Sequence, residues 1–221
     1  MTELQAIKER HSVRKYMNKS IEMEIRQELD AFVEKVNTES GLNITIQYDD
    51  PEGFDSKMAH YGSFRNVNNY IVLKGDSCPD FEKKCGYYGE KIVIKAQMLG
   101  LNTCWAALTF NKKFVKKMIP ENEKFSMVIA LGYGETQGTA HKGKKYADVV
   151  LTDGTEPTWF KEAVEAALLA PTAVNQQKFM FSWKDQKPGM KVKGFGMHTK
   201  VDLGIVKYHF EIGAKSAKEK M

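Results

Sequence analysis

Ala170-Pro171-Thr172-Ala173-Val174-Asn175-Gln176-Gln177 stands where a helix stops and a strand begins. Upstream, Trp159, Phe160, Ala163, Val164, Ala167 and Leu168 recur at the spacing of one buried helix face. Pro171 ends that helix, because proline has no N–H to donate and its ring clashes with the preceding turn. Downstream, Phe179-Met180-Phe181-Ser182-Trp183 reads as a strand. The same grammar occurs earlier in the chain. After Ser20, an N-cap residue type, the residues Ile25, Leu29, Phe32, Val33 and Val36 trace a helix face. A polar turn over Thr38–Asn43 comes next, then a strand-like stretch from Ile44 to Tyr48. Each half continues with a second helix. Tyr88, Ile92, Val93, Ala96 and Leu99 form one, capped by Gly100, and Leu203, Val206, Phe210 and Ala214 form the other, opened by Asp202. Two apolar strands, Tyr70–Leu73 and Met127–Leu131, lie between them. The pattern predicts an α+β chain with an internal pseudo-two-fold repeat, a single domain made of halves at roughly 1–150 and 151–221. Chance echoes within any α+β chain are the competing reading of the same pattern.

Composition bounds what such a chain does. Its 221 residues suffice for a sizeable core, and 42% hydrophobic with 28% charged residues is ordinary globular usage that excludes wholesale disorder. No apolar run approaches the roughly 20 residues of a spanning helix, and the opening MTELQAIKER is too polar for a signal peptide. A cytoplasmic location with no membrane partner is the expectation. Three cysteines, Cys78, Cys85 and Cys104, are odd in number and form no CxxC pair, so reduced structural thiols are expected and no metal site. Lys and Arg exceed Asp and Glu by 33 − 28 = 5, which favours an anionic ligand and is too small and dispersed to argue for nucleic acid.

Three segments carry possible chemistry. In Arg10-His11-Ser12-Val13-Arg14-Lys15-Tyr16, an extended backbone would put Arg10, Ser12 and Arg14 on one side, alternate residues about 6.6 Å apart. Guanidinium groups at that spacing suit a phosphate and the chain attached to it, since their planar fork binds phosphate bidentately. On residue types alone, a solvated basic segment is the stronger reading. His141-Lys142-Gly143-Lys144-Lys145, after the turn Gly132-Tyr133-Gly134, is a second anion-site candidate, and equally an ordinary solvated loop. The third is the turn at 170–177, whose hydroxyl and carboxamide groups suit a planar heteroaromatic ring, or else simply cap local backbone.

Taken together these segments resemble the FMN-dependent nitroreductase family. Arg10-x-Ser12-x-Arg14 is similar to that family's flavin-binding opening, and Ala170-Pro171-Thr172-x-x-Asn175-x-Gln177 to its Ala-Pro-Ser-x-x-Asn-x-Gln-Pro turn. Leu99-Gly100-Leu101-Asn102-Thr103-Cys104-Trp105 resembles its Gly-Leu-x-x-x-Trp helix end, and Leu131-Gly132-Tyr133-Gly134 its Gly-Tyr-Pro strand end. The order departs from the usual one. The Ala-Pro turn normally comes after the first helix, where this chain has Asn37–Asn43, and Lys178 and Gly134 stand where the family has proline. The resemblance is therefore to a subgroup in which one chain imitates the family's homodimer.

That resemblance implies a nitroreductase-like fold, with helices packed around a mainly antiparallel sheet, and one FMN per chain. It implies that Arg10 and Arg14, with Ser12 and His11, hold the phosphate and ribityl end, and that Lys142 and Lys144 complete the counter-charge. Pro171, Thr172 and Asn175 would contact the ring, with Gln177 nearby, and the backbone at Trp105, Ala106 and Ala107 would lie along its edge. By the same resemblance NADH or NADPH delivers hydride, and a nitroaromatic, quinone or similar small acceptor leaves reduced in a ping-pong cycle needing no catalytic side chain. A non-catalytic protein that stores or senses FMN, and a basic binding module built on Lys142–Lys145, are the alternatives. A monomer acting as pseudo-dimer is the expected assembly.

Overall fold

The computed structural model describes residues 1–220. The chain folds as two compact units: one comprises Arg10–Phe81 and Ile92–Ala140, the other Met1–Glu9, Glu82–Lys91 and the residues from His141 on. The second unit thus draws on the N-terminal segment and part of the central helix as well as on the residues from His141 on.

The first unit is built on a four-stranded sheet of β1 (Thr45–Gln47), β2 (Asn69–Asp76), β3 (Asn102–Ala106) and β4 (Glu123–Gly132). The strand order is β1-β2-β4-β3, and every neighbouring pair is antiparallel. The central strands are apolar on both faces, with Tyr70, Ile71, Leu73, Val128, Ile129, Ala130 and Leu131 buried. Helix α2 (Met23–Ser40) forms because Leu29, Val33 and Val36 share one face, and it ends at Gly41, whose φ of 69° lets its N–H return to the Asn37 carbonyl. Two short helices, α3 (Lys57–Tyr61) and α5 (Lys112–Lys116), start on the side chains of Ser56 and Asn111, each accepting a backbone N–H. Phe54, Phe64, Tyr70 and Phe110 pack with Tyr16 and Val13 into one apolar core.

The second unit has a three-stranded sheet of β5 (Val150–Thr152), β6 (Phe179–Lys184) and β7 (Lys187–Val192), β5 parallel and β7 antiparallel to β6. Around it lie α1 (Glu3–Glu9), the first part of α4 (Phe81–Met98), α6 (Tyr146–Val149), α7 (Thr158–Ala167) and α8 (Thr199–Lys218). Small residues set the helix crossings. A Cβ on Gly204 of α8 would lie 2.1 Å from the Lys83 carbonyl oxygen of α4, and one on Gly213 would lie 2.9 Å from Cα of Ala163 in α7. Phe160, Phe181 and Phe210 fill the space between α7, β6 and α8, the last two stacked at 5.0 Å.

The α+β class with a mainly antiparallel sheet is as expected, and several local boundaries are not. Segment 102–106, read as a helix end, is the strand β3. Helix α4 begins at Phe81, well before Tyr88. Helix α8 begins at Thr199 with His198 before it, so Asp202 sits inside the helix and is not its N-cap. Glu22, not Ser20, precedes α2, and the Ser20 hydroxyl donates instead to Asp49 at 3.2 Å. All three cysteines are free thiols. Among the described residues no helix is long and apolar enough to cross a membrane, and no group of three or more His, Cys, Asp or Glu could hold a metal ion.

Candidate functional site

Arg10–Tyr16 is extended, and the edge strand of the four-stranded sheet makes it so. Sheet order leaves one side of β3 without a strand partner, and this segment runs along it. Ser12 bridges Thr103 in parallel, and the Val13 N–H donates to the Thr103 carbonyl at 3.0 Å. Further on, the Tyr16 N–H donates to Arg65 O at 3.1 Å, and the Tyr16 hydroxyl donates to Val13 O at 2.7 Å. These bonds fix the side-chain alternation. Val13, Tyr16 and Arg10 are buried, Ser12 is half-buried and Arg14 is exposed.

Arg10, Ser12 and Arg14 all act on the electrostatics of Cys104 in β3. The Cys104 thiol of β3 is pushed up by burial and drawn back by the Arg14 guanidinium, a Ser12 hydrogen bond and Arg10. Arg10 is only 3% exposed, with Nε and Nη1 shielded from solvent, whereas Arg14 is exposed and its guanidinium lies 6.0 Å from the centre of the Phe64 ring. The backbone at His11 and Ser12 is approached closely by Gly138, where φ is 75° and a Cβ would fall 2.8 Å from Cβ of His11. A side chain there would push the loop off the arginine segment. Trp105 is half-buried, and its backbone groups point to the same edge as those of Thr103, two residues back; Ala106 is buried and Ala107 lies just past the strand. Beside Phe64 and Arg65 a cavity of about 200 Å³ opens, lined also by Phe54, Asp55, His60 and Asn68.

The second unit assembles the remaining candidates around the turn after α7. Val174, Asn175 and Gln177 have positive φ of 45°, 53° and 44°, interrupted by right-handed Gln176, and this is costly above all for β-branched Val174. Several anchors hold it. Asn175 N–H donates to Thr172 O at 2.9 Å, and Gln177 N–H to the Thr172 hydroxyl at 3.1 Å. Asp202 accepts from Ala173 N–H at 3.0 Å and from the Gln176 amide at 2.7 Å. Burial raises the Asp202 carboxyl, against the lowering effect of these two donors. The 141–145 loop closes on the turn as well: Asn175 Nδ2 donates to Lys142 O at 2.9 Å, and Gln177 Oε1 accepts from Lys144 N–H at 2.7 Å. Gln177 is buried, its Nε2 directed at Leu168 O, and Lys144 Nζ donates to the Gln177 carbonyl at 2.6 Å. Gln177 and Lys144 therefore shape the turn. Pro171 and Thr172 are half-exposed, and Asn175 and Lys142 exposed, at its surface.

Sequence reasoning thus found two coherent sets: Arg10, His11, Ser12 and Arg14 with β3 in one unit, and Pro171–Gln177 with Lys142 and Lys144 in the other. It missed Asp202 as the anchor of the turn, and Cys104 as the buried thiol whose electrostatics the arginines influence. Asp202 carried a signal, an acid where a helix face should be apolar. Cys104 carried none beyond lying in an apolar strand.

The comparisons agree with this architecture. A family model described as putative TM nitroreductase matches residues 3–214. Comparison with curated proteins finds no match. Among solved structures, a nitroreductase described as putative from Thermotoga maritima superposes with a TM-score of 0.69 at 21% identity, over 99% of this chain and 86% of that one. A second, from Desulfovibrio desulfuricans and solved in complex with FMN, gives 0.51 at 17% identity, over 71% and 99%. An NADH dehydrogenase/NAD(P)H nitroreductase, also so described, from Bacteroides thetaiotaomicron gives 0.51 at 24% identity, over 66% and 95%. At these identities the likeness establishes the fold, and the family match over nearly the whole chain establishes descent. The chain belongs to the putative TM nitroreductase family.

Proposed function

We propose that the chain is an FMN-dependent oxidoreductase that passes electrons from NADH or NADPH to a small acceptor such as a nitroaromatic or a quinone. Family membership supports oxidoreductase chemistry, and a relative of the same fold is solved with FMN. The observation that carries the reading is the docking of the Arg10–Arg14 segment along β3 through the Ser12–Thr103 bridge and the Val13–Thr103 hydrogen bond.

The donor set fits FMN. Two guanidinium groups and a hydroxyl within one short segment suit a phosphate dianion and a ribityl chain. Charge-assisted contacts of this kind are worth roughly 1.5–3 kcal/mol each. Pro171, Thr172 and Asn175 offer an apolar ring, a hydroxyl and a carboxamide to a flat heteroaromatic system. Lys142 adds positive charge at the surface. His11, Trp105, Ala106 and Ala107 contribute backbone and ring edges near the arginine segment. When bound, FMN supplies the redox chemistry itself, accepting hydride equivalents from a nicotinamide donor and releasing electrons to the acceptor. The protein's share is to bind, orient and shield it, which requires no general acid or nucleophile.

The test is to incubate the purified chain with excess FMN, remove free flavin, and record the visible spectrum, the flavin-to-chain ratio, and bleaching under anaerobic NADPH or NADH. One FMN per chain that bleaches, and recovers its colour with a quinone, is the expected result. Retained FMN that neither donor bleaches turns the reading to storage or sensing, and no retained flavin overturns it.

A further inference from the structure

In the β6–β7 hairpin, Phe179 pairs with Val192 and Met180 with Lys191. One step further the Lys193 N–H donates to the Lys178 carbonyl at 3.0 Å, so Lys178 and Lys193 face each other directly across the strands. Residues two apart on one strand share a face, so Lys191 stands on that same face. Like charges directly opposed on a sheet are unfavourable, and a local conflict of this kind points to a use for the charge. Among the described residues, the two opposed ammonium groups meet backbone carbonyls and no carboxylate. Lys178 Nζ donates to the Phe195 carbonyl, and Lys193 Nζ to the Asp148 carbonyl at 3.4 Å. Beside them Phe195 is 98% exposed, on a loop tied to the candidate turn through Gln176 Nε2, which donates to Met197 O at 2.8 Å.

Three cations on one face with a bare aromatic ring next to them match an adenosine carrying phosphates: the base stacks on the ring, and the phosphates meet the lysines. We propose that Lys178, Lys191, Lys193 and Phe195 bind the adenosine end of the nicotinamide donor and select the form carrying the additional ribose phosphate, NADPH over NADH. This rests on the proposed oxidoreductase function for the identity of the donor. A nucleic acid is the poorer fit. Such binders neutralise a long run of phosphates along a stripe, and here the charge is confined to one end of one hairpin.

Two measurements test this with the FMN-loaded chain. The first is calorimetric binding of adenosine 2′,5′-bisphosphate, a probe without redox activity, to the parent and to Lys191→Gln/Lys193→Gln. The second is the ratio of kcat/KM for NADPH over NADH in the same pair and in Phe195→Ala. The expected result is probe binding that weakens roughly tenfold or more in the double variant, with a matching fall in the NADPH/NADH ratio carried by KM. Circular dichroism confirms that these exposed substitutions leave the fold intact. Equal use of both donors by the parent, or probe affinity untouched by the substitutions, overturns the inference while leaving the flavin reading in place. Tighter binding of a short single-stranded oligonucleotide than of the bisphosphate, lost in the same double variant, also overturns it. If the chain retains no flavin the oxidoreductase reading fails, and the calorimetric arm still reports on the hairpin separately.

Discussion

His209 Nε2 lies 2.9 Å from Glu90 Oε1 with both side chains fully buried, joining α8 to α4. The other ring nitrogen of His209 meets the Ala166 carbonyl of α7 at 3.2 Å. A carbonyl only accepts, so Nδ1 carries a hydrogen, and one further proton is shared between Nε2 and the carboxyl group. A single imidazole therefore ties three helices together. Replacing it by an apolar residue of similar bulk leaves the Glu90 carboxyl in the core without its imidazole and the Ala166 carbonyl without its donor. His209→Leu should lower unfolding free energy by about 3–5 kcal/mol, the usual cost of removing one partner from a buried pair. Urea unfolding tracked by circular dichroism measures it, and a loss below about 1 kcal/mol would show that the pair contributes little beyond packing.

The crossing of α4 over α8 is sterically tighter still. A Cβ at Gly86 would stand 2.0 Å from the Val201 carbonyl oxygen, and one at Gly204 would stand 2.7 Å from the Tyr87 nitrogen. These neighbours are backbone, which cannot swing away, so the helices must separate. Gly204→Ala should cost on the order of 1–3 kcal/mol or more, whereas Gly154→Ala, with open space around it, should be close to neutral. Comparing the two midpoints in one thermal melt series decides the matter. Equal midpoints would mean that the helices part at little cost.

Asp202 makes the turn at 173–176 sensitive to pH. Its carboxyl is raised from the ordinary 3.8 by burial, so the folded state holds the proton more firmly than the unfolded chain does. The stability this contributes is fully present below pH 3.8 and is lost as pH rises through the raised folded value. Asp202→Asn removes the ionisation and keeps an oxygen for the Ala173 N–H. Relative to the parent, that variant should gain stability as pH rises from about 3 to about 6, read as a shift in the difference between the two urea midpoints. A difference independent of pH would mean that Asp202 titrates alike in both states.

How much of the fold and site was legible from sequence depended on whether one local force dominated. Helices α2, α7 and most of α8 were readable because their apolar residues keep helical spacing, and β2 and β4 because both faces are buried. By contrast, the arginine segment was not readable as extended from its residues, since Arg10–Tyr16 carries no apolar alternation and its backbone is set by pairing along β3. The start of α4 contains Glu82-Lys83-Lys84-Cys85-Gly86, charged and broken by a glycine whose purpose is the contact with Val201. Propensity argues against a helix there, and tertiary packing overrides it. Strand β3 was hidden because Leu99-Gly100-Leu101 looks like a helix stop, and the strand itself is only five residues long. The Lys178–Lys193 opposition was invisible, since strand register is a property of pairing and not of either segment alone.

Arg14 offers the sharpest separation of binding from folding. Its side chain is exposed, over Phe64, and its backbone carbonyl accepts from the Arg65 N–H at 3.0 Å, a bond that substitution of the side chain leaves in place. Arg14→Ala should therefore melt within about 0.5 kcal/mol of the parent, as surface changes do. In the FMN reading it should also weaken flavin binding by roughly 1.5–3 kcal/mol, about 10- to 150-fold in Kd. Arg10 behaves differently because it is buried: Arg10→Ala should lose stability and flavin together. Fluorescence titration of FMN into the two variants, with parallel melts, separates these outcomes. If Arg14→Ala binds FMN as tightly as the parent, the phosphate is held elsewhere.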